Sequence, residues 1–302
     1  MIAHKKSVLR IPGGIVVPII SPCDADGVAM DWDGLERQFE YLIKRPIDGL
    51  YLCGGTGDAE CLLPEERRKI CELLAPKLKK AGKSAIVHVG YTDLRTALGL
   101  ATHAAEHGAD AVAAVPHGGS WRAAGEYYRE LTKVGLPVML YYIPGATGMT
   151  AGFAEIAGLM EIPGVEGIKV SDWNTFLIRQ IKTAYPDKTV FSGFCEMLLP
   201  GLSAGADGSI GTWANVFPGL YAKTLNAVKQ GDWDTAIMLS ERFSAFLTEC
   251  WRYGVFVAFE EIMRLKGFAR CFRNPRGWPP AKIEPDEVKL FLSIVDALEQ
   301  FA

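Results

Sequence analysis

No apolar run in this 302-residue chain approaches the roughly 20 residues that a membrane-spanning helix needs. The stretch Met1-Ile2-Ala3-His4-Lys5-Lys6-Ser7 carries no apolar core of a secretory leader, so a cytoplasmic location is expected. Charge of one sign is missing as well. Thirty-two Lys and Arg face 35 Asp and Glu, and a formal net charge of −3 gives no electrostatic reason to expect nucleic acid or an anionic lipid surface. The seven cysteines are scattered, odd in number and without a C-x-x-C pair, a usage that suits reduced thiols. Phosphate-binding glycine motifs are absent too. Gly82-Lys83-Ser84 is no P-loop, because Lys77 stands where the first glycine must be and the segment precedes a strand pattern. No low-complexity linker divides the chain, which is long enough for one α/β barrel.

What is present is an alternation. Apolar, β-prone runs fall at Gly14–Ile20, Gly49–Cys53, Ser84–Val89, Ala111–Val115, Pro137–Tyr142, Val165–Val170, Thr189–Ser192 and Asp207–Gly211. Between them lie helical patterns such as Trp32–Lys44, Pro64–Lys80, Thr92–His107 and Trp121–Val134. Pro64 with Glu65 and Glu66 suits a helix start, and Gly108 suits a stop after His107. Near-continuous apolar strands separated by helices imply parallel strands buried on both faces. Eight such units predict a (β/α)8 TIM barrel, with a doubly wound sheet as the alternative. After Phe217 only helical patterns follow: Leu220–Lys229, Trp233–Trp251, Val255–Phe268 and Pro285–Phe301, interrupted by the breaker-rich Arg273–Pro280. The expected organisation is therefore a catalytic barrel over residues 1–229 and a helical extension over 230–302 packed on it.

One strand carries a cation. In Val165-Glu166-Gly167-Ile168-Lys169-Val170, side-chain alternation turns Ile168 and Val170 toward the helices and points Lys169, with the following Ser171, into the barrel mouth. Barrel enzymes place their chemistry at that C-terminal end. A free lysine, of pKa about 10.4, is neutral in only about four molecules in ten thousand at pH 7, and apolar surroundings raise that fraction. The strand before it ends in Tyr141. An amine and a phenol closing neighbouring strands are the nucleophile and the proton shuttle of imine chemistry on a 2-oxo acid. The plainer reading of Lys169 is a surface lysine or a structural ion pair. Gly54-Gly55-Thr56-Gly57-Asp58, after the second strand, can aim backbone N–H groups at a carboxylate, or can be a tight turn with no ligand.

These features resemble the dihydrodipicolinate synthase / N-acetylneuraminate lyase family of pyruvate-dependent class I aldolases, over nearly the whole chain from Pro12 to about Phe272. The glycine turn resembles that family's Gly-[Ser/Thr]-Thr-Gly-Glu carboxylate loop, Tyr141 falls on its catalytic tyrosine and Lys169 on its Schiff-base lysine. Tyr141-Tyr142-Ile143-Pro144-Gly145-Ala146-Thr147-Gly148 is similar to the lyase branch, and Ala146 stands where the synthase branch carries an arginine for a second carboxylate. Ser192-Gly193-Phe194-Cys195-Glu196 resembles the lyase's sugar-holding Ser-Gly-Tyr-Asp-Glu. Thr212 matches a serine with the same duty, and Ser171 matches a sugar-contacting threonine. Helix capping is the plainer reading of Glu196 and Thr212.

The resemblance implies a homotetramer acting on pyruvate and an aldehyde or sugar acid, with no metal and no organic cofactor. It implies substrate contacts at Gly55, Thr56, Ser171, Gly193, Glu196 and Thr212. The chain also departs from the pattern. Gly55 and Gly118 replace hydroxyls that relay protons, and Phe194 and Cys195 replace polar sugar contacts, so a shorter or less polar tail is expected, such as that of a six-carbon 2-oxo-3-deoxy acid. A Gly-Gly-Thr-Gly turn is similar as well to the family's 5-dehydro-4-deoxyglucarate dehydratases. A binder of 2-oxo acids that has lost catalysis is the rival from outside enzymes. His103 and His107, spaced i, i+4 on a helix, can seat a metal or simply face solvent, and no third ligand is evident in the sequence. His117, after the fourth strand, is a candidate for proton transfer or a structural histidine.

Overall fold

The computed structural model describes residues 10–116, 121–273 and 285–299. His117, Gly118 and most of the Arg273–Pro280 break lie outside them. Eight parallel strands close into a barrel: β1 Gly14–Pro18, β2 Gly49–Leu52, β3 Ser84–His88, β4 Ala111–Ala114, β5 Val138–Tyr142, β6 Val165–Val170, β7 Thr189–Ser192 and β8 Gly208–Ser209. Because β1 pairs with both β2 and β8, the doubly wound alternative is excluded. β8 is the shortest strand. The chain leaves the sheet there because Thr212–Asn215 curls into a 3₁₀ turn. Asn215 Nδ2 fastens that turn to Pro18 O at 2.8 Å and Thr212 O at 3.0 Å.

The first four helices are α1 Trp32–Ile43, α2 Pro64–Lys80, α3 Leu94–Glu106 and α4 Trp121–Thr132. Four more go beyond the helical patterns singled out in the sequence: α5 Pro144–Thr147, α6 Phe153–Met160, α7 Thr175–Ala184 and α8 Leu198–Ser203. Two of these are four and six residues long, too short to display a 3.6-residue period. Alternation along the strands then makes two cores. Val16, Tyr51, Ile86, Met139 and Phe191 fill the barrel interior. Val17, Leu50, Val87, Leu140 and Ile168 face the helices in one continuous outer layer. Each such fully buried aliphatic side chain contributes about 1.5–3 kcal/mol.

Aspartates set the bottom of the barrel. Asp48, Asp110 and Asp207 immediately precede β2, β4 and β8. Their carboxylates accept N–H bonds from the starts of neighbouring strands, from Ile15 at 2.7 Å, Ala85 at 2.8 Å and Val190 at 2.8 Å.

The C-terminal part is helical, as α9 Pro218–Gln230, α10 Trp233–Tyr253, α11 Val255–Leu265 and α12 Pro285–Glu299. Aromatic packing ties it to the barrel. The Trp213 ring meets Phe246 at 4.7 Å and Phe259 at 5.3 Å, and Phe217 meets Phe246 at 5.1 Å. The chain beyond α11 returns to the glycine loop: Arg273 N–H donates to Asp58 Oδ2 at 2.8 Å, and its guanidinium pairs with Glu66 at 2.6 Å. These contacts bring α11 over the C-terminal mouth.

Candidate active site

A cavity of about 370 Å³ opens at the C-terminal ends of the strands. Its floor is Lys169 and Tyr141, which occupy paired positions of β6 and β5. Lys169 Nζ donates to the Tyr141 hydroxyl at 3.1 Å. The Lys169 Nζ lies 4.2 Å from the Tyr141 ring centre and 5.1 Å from that of Tyr51. Only 4% of Lys169 is exposed, which disposes of a surface lysine. No carboxylate pairs with it among the described residues, which leaves no structural ion pair. An amine held among aromatic faces and one phenol is costly to bury, and its partner is an acid–base group.

Support for this pair comes from behind. Tyr128, on α4, donates its hydroxyl to Ala114 O at 2.7 Å and accepts Tyr141 N–H at 3.4 Å, tying the ends of β4 and β5 together. His88, wholly buried at the end of β3, packs edge-on against Tyr141 at 6.0 Å. Burial, reinforced by the charges of Arg67 and Lys169, holds its pKa well below the usual imidazole value. Its bonds agree with a neutral ring: Nε2 accepts Val115 N–H at 3.3 Å, so Nδ1 carries the proton and donates to Cys53 O at 3.1 Å. Arg67, 2% exposed, donates to His88 O at 2.7 Å and Gly90 O at 3.1 Å, fixing the turn that follows β3.

The glycine loop forms one wall. Gly55–Gly57 is a single 3₁₀ turn, and the buried Thr56 hydroxyl lies 2.8 Å from that of Thr212. Thus two residues 156 positions apart meet across the mouth. Gly193, after β7, lies against Lys169. A Cβ there would stand 2.0 Å from Ser171 Oγ and 2.9 Å from Lys169 Cε, so only glycine leaves room for both. Gly55 is different, since a Cβ there meets nothing within 4 Å.

Of the residues singled out in the sequence, Lys169, Tyr141, Gly55, Thr56, Ser171, Gly193 and Thr212 all line this one cavity. Glu196 does not. Its Oε1 accepts the indole N–H of Trp251, on α10, at 3.2 Å. Cys195 is buried toward Tyr221, and burial pushes its thiol up to about 11. The lining also holds Tyr91, Ile143, Phe194 and Phe256. Tyr91, in a left-handed turn at φ 59°, lies three residues past the end of β3, and its nearness to that strand end is the signal that marks it. Phe256 comes from α11, and no local signal marks it.

His103 and His107 do have a carboxylate neighbour. Glu72 Oε1 lies 2.9 Å from His103 Nε2, and the ligating atoms of all three are within 4.8 Å of one another. Glu72 and His103 sit on the outward helices α2 and α3, His107 caps the C-terminus of α3, and none of the three lines the cavity. None of the seven cysteines forms a disulfide, and no described helix is long and apolar enough to cross a membrane.

Comparison with known proteins places this geometry. The profile of the Dihydrodipicolinate synthetase family matches residues 11–289. The N-acetylneuraminate lyase of Enterobacter sp. (strain 638) is 31% identical over 256 residues, which is 83% of this chain and 85% of the relative. Among solved structures, N-acetylneuraminate lyase from Fusobacterium nucleatum complexed with pyruvate superimposes with a TM-score of 0.82 at 26% identity, covering 95% of this chain and 96% of that one. A prophage protein of the dihydrodipicolinic acid synthase family from E. coli K12, also in complex with pyruvate, gives a TM-score of 0.82 at 26% identity over 95% of this chain and 98% of that one. The chain therefore belongs to the dihydrodipicolinate synthetase family, as an enzyme of the carbon–carbon lyase class.

Proposed function

We propose that this protein is a Schiff-base aldolase that joins pyruvate to an aldehyde, or splits the resulting 4-hydroxy-2-oxo acid, at Lys169. The observation that carries the reading is the 3.1 Å contact between an unpaired, buried amine and a phenol on the cavity floor. The amine adds to the C2 carbonyl of the 2-oxo acid and water leaves, giving a protonated imine that withdraws electrons from C3. Tyr141 removes the proton of the C4 hydroxyl, and the C3–C4 bond breaks to an aldehyde and an enamine. The enamine is protonated at C3, and water releases pyruvate from the lysine. Thr56 and the loop amides hold the carboxylate, an arrangement supported by the proximity of this anion-suited turn to Lys169 in one cavity.

The named relatives support the reading, since two are called N-acetylneuraminate lyase, the third belongs to the dihydrodipicolinic acid synthase family, and two superimposable structures hold pyruvate. A 2-oxo-3-deoxy sugar acid is the substrate class that the lyase resemblance implies, with Ser171, Gly193 and Thr212 beside the tail. Glu196 would reach such a tail only by giving up the Trp251 indole. Synthase-type condensation has the same first half. Ala146 argues against it, being unable to clamp a second carboxylate as an arginine does. We further take residues 230–302 as part of the catalytic unit rather than a separate domain, because Phe256 lines its cavity. A cytoplasmic homotetramer completes the reading. The exposed Trp173 and Phe176 offer apolar surface for association, and light scattering after gel filtration measures the assembly.

Borohydride reduction in the presence of pyruvate tests the chemistry. The expected result is an irreversible three-carbon adduct on Lys169, mapped by mass spectrometry. An adduct on another lysine, or none, removes the mechanism. An adduct without turnover of any aldehyde would instead indicate a 2-oxo acid binder.

A further inference from the structure

We infer that the aldehyde taken by this site is apolar, with an aromatic ring as its best-fitting tail, in place of the hydroxylated tail that the lyase resemblance implies. The inference rests on the imine reading above and concerns the other half of the same cavity.

Of the polar groups that could hold a hydroxylated tail, three are engaged or turned elsewhere, while Ser171, Asp58 and the exposed Glu60 still line the cavity, Asp58 already accepting Arg273 N–H. Glu196 is bonded to Trp251 and does not line the cavity. The Thr212 hydroxyl is paired with Thr56. Cys195, one position before Glu196, is buried toward Tyr221. Most of the remaining lining is apolar or aromatic: Phe194 after β7, Ile143 and Ala146 after β5, Phe256 of α11 and Tyr91 after β3. These come from four different parts of the chain and line one cavity. Their convergence is a property of the folded site rather than of one greasy segment.

The aromatic members are also held in place. Phe194 packs against Trp173 at 5.0 Å, and Phe256 packs edge-on against Phe272 at 5.6 Å. Tyr91 keeps a left-handed backbone that a tyrosine adopts rarely. Its N–H donates to Val115 O at 3.3 Å, and the preceding Gly90 carbonyl is gripped by Arg67. Strain of this kind persists where the surroundings enforce it, commonly beside ligands. The ring also lies 5.2 Å from His88, so it stands in the wall as a rigid plate.

A sugar aldehyde entering such a wall would lose water from several hydroxyls, and each one left unpaired costs roughly tenfold or more in binding. An aryl aldehyde loses little and gains ring-to-ring contact with Phe194, Phe256 and Tyr91. The balanced reaction is pyruvate plus benzaldehyde giving 4-hydroxy-2-oxo-4-phenylbutanoate. Pyruvate forms the imine on Lys169 with loss of water and gives up a C3 proton to become the enamine. C3 bonds to the aldehyde carbon as the aldehyde oxygen takes a proton from Tyr141. The C3 proton restores the phenol, and water releases the product from Lys169.

The test offers the wild-type protein pyruvate with benzaldehyde, D-glyceraldehyde or N-acetyl-D-mannosamine in parallel, with product measured by mass spectrometry and borohydride trapping run on the same sample. The expected result is a Lys169 adduct together with a kcat/KM for benzaldehyde at least about tenfold above either hydroxylated aldehyde. Phe194→Ser and Phe256→Ser should each reduce that preference about tenfold. Trapping on Lys169 with a hydroxylated aldehyde preferred would overturn the inference and leave the imine reading standing. Absence of trapping would overturn both.

Discussion

The floor and the wall of the cavity are built on different principles. The floor is two strand residues, Lys169 and Tyr141, in register on adjacent strands and braced by Tyr128 and His88 from below. The wall is assembled from loop ends and a C-terminal helix, with Phe194, Ile143 and Phe256 supplied by separate segments. Strand positions are fixed by the barrel's hydrogen-bond register, so chemistry set there changes little when the loops change. Loop and helix contributions vary freely and can re-specify the aldehyde without disturbing the amine. Residues that resemble a known lyase on the floor and depart from it on the wall are what this division would produce.

Replacing Lys169 by Arg should separate floor from wall most sharply, because arginine keeps its proton and cannot add to a carbonyl. Turnover should fall by at least roughly a thousandfold and trapping vanish, while circular dichroism stays native. Tyr141→Phe should cost about 10²–10⁴ in kcat. Persistence of full turnover in either variant would show that the chemistry lies elsewhere.

The two glycines of the site give a second contrast, one against the floor lysine and one in the loop wall. Gly193→Ala should lower stability by about 1–3 kcal/mol and slow trapping, since its methyl must displace Ser171 Oγ or Lys169. Gly55→Ser should change stability by no more than about 0.5 kcal/mol, as its side chain enters open space. Thermal melts of both proteins check this. A larger loss at Gly55 than at Gly193 would mean that the packing around Lys169 is not what holds it.

A smaller effect comes from His88, whose folded pKa lies well below its unfolded value of about 6.5. The unfolded chain binds the proton more readily, so stability is full above the unfolded value and declines as pH falls below it. Between pH 7 and 5.5 the loss should be about 1 kcal/mol from this group, measured by urea denaturation at each pH. His88→Gln should remove that slope even if it lowers stability at every pH. An unchanged slope would show that His88 is protonated within the fold.

Smallest of all should be Glu196→Ala. With its carboxylate on the Trp251 indole, it should alter the KM for an aldehyde by less than about threefold, because a half-exposed hydrogen bond contributes only about 1 kcal/mol or less. A large selective loss for hydroxylated aldehydes would restore Glu196 to the substrate and weaken the division drawn above.

The barrel was legible because its signals are local. Each strand lies within two residues of its apolar run at either end, and the inward face of β6 followed from counting by two. Lys169, Tyr141 and the glycine turn were legible as strand-end residues for the same reason. Helices α5 and α8 were not, being shorter than the period that reveals a helix. Tyr128 and Arg67 were missed because a tyrosine or an arginine on a helix reads as surface or core, and only the closed barrel shows which strand ends they grip.

The sequence by itself determined the eightfold alternation, the inward side of each strand and thus the amine and phenol at the mouth, since pleat and strand length depend on neighbours in the chain. Only the tertiary structure decided that Thr56 meets Thr212, that Glu196 turns to Trp251 and that Phe256 comes over the cavity. Those meetings join residues far apart in sequence. They depend on how the barrel closes and how α10 and α11 pack on it, and spacing along the chain carries no record of either.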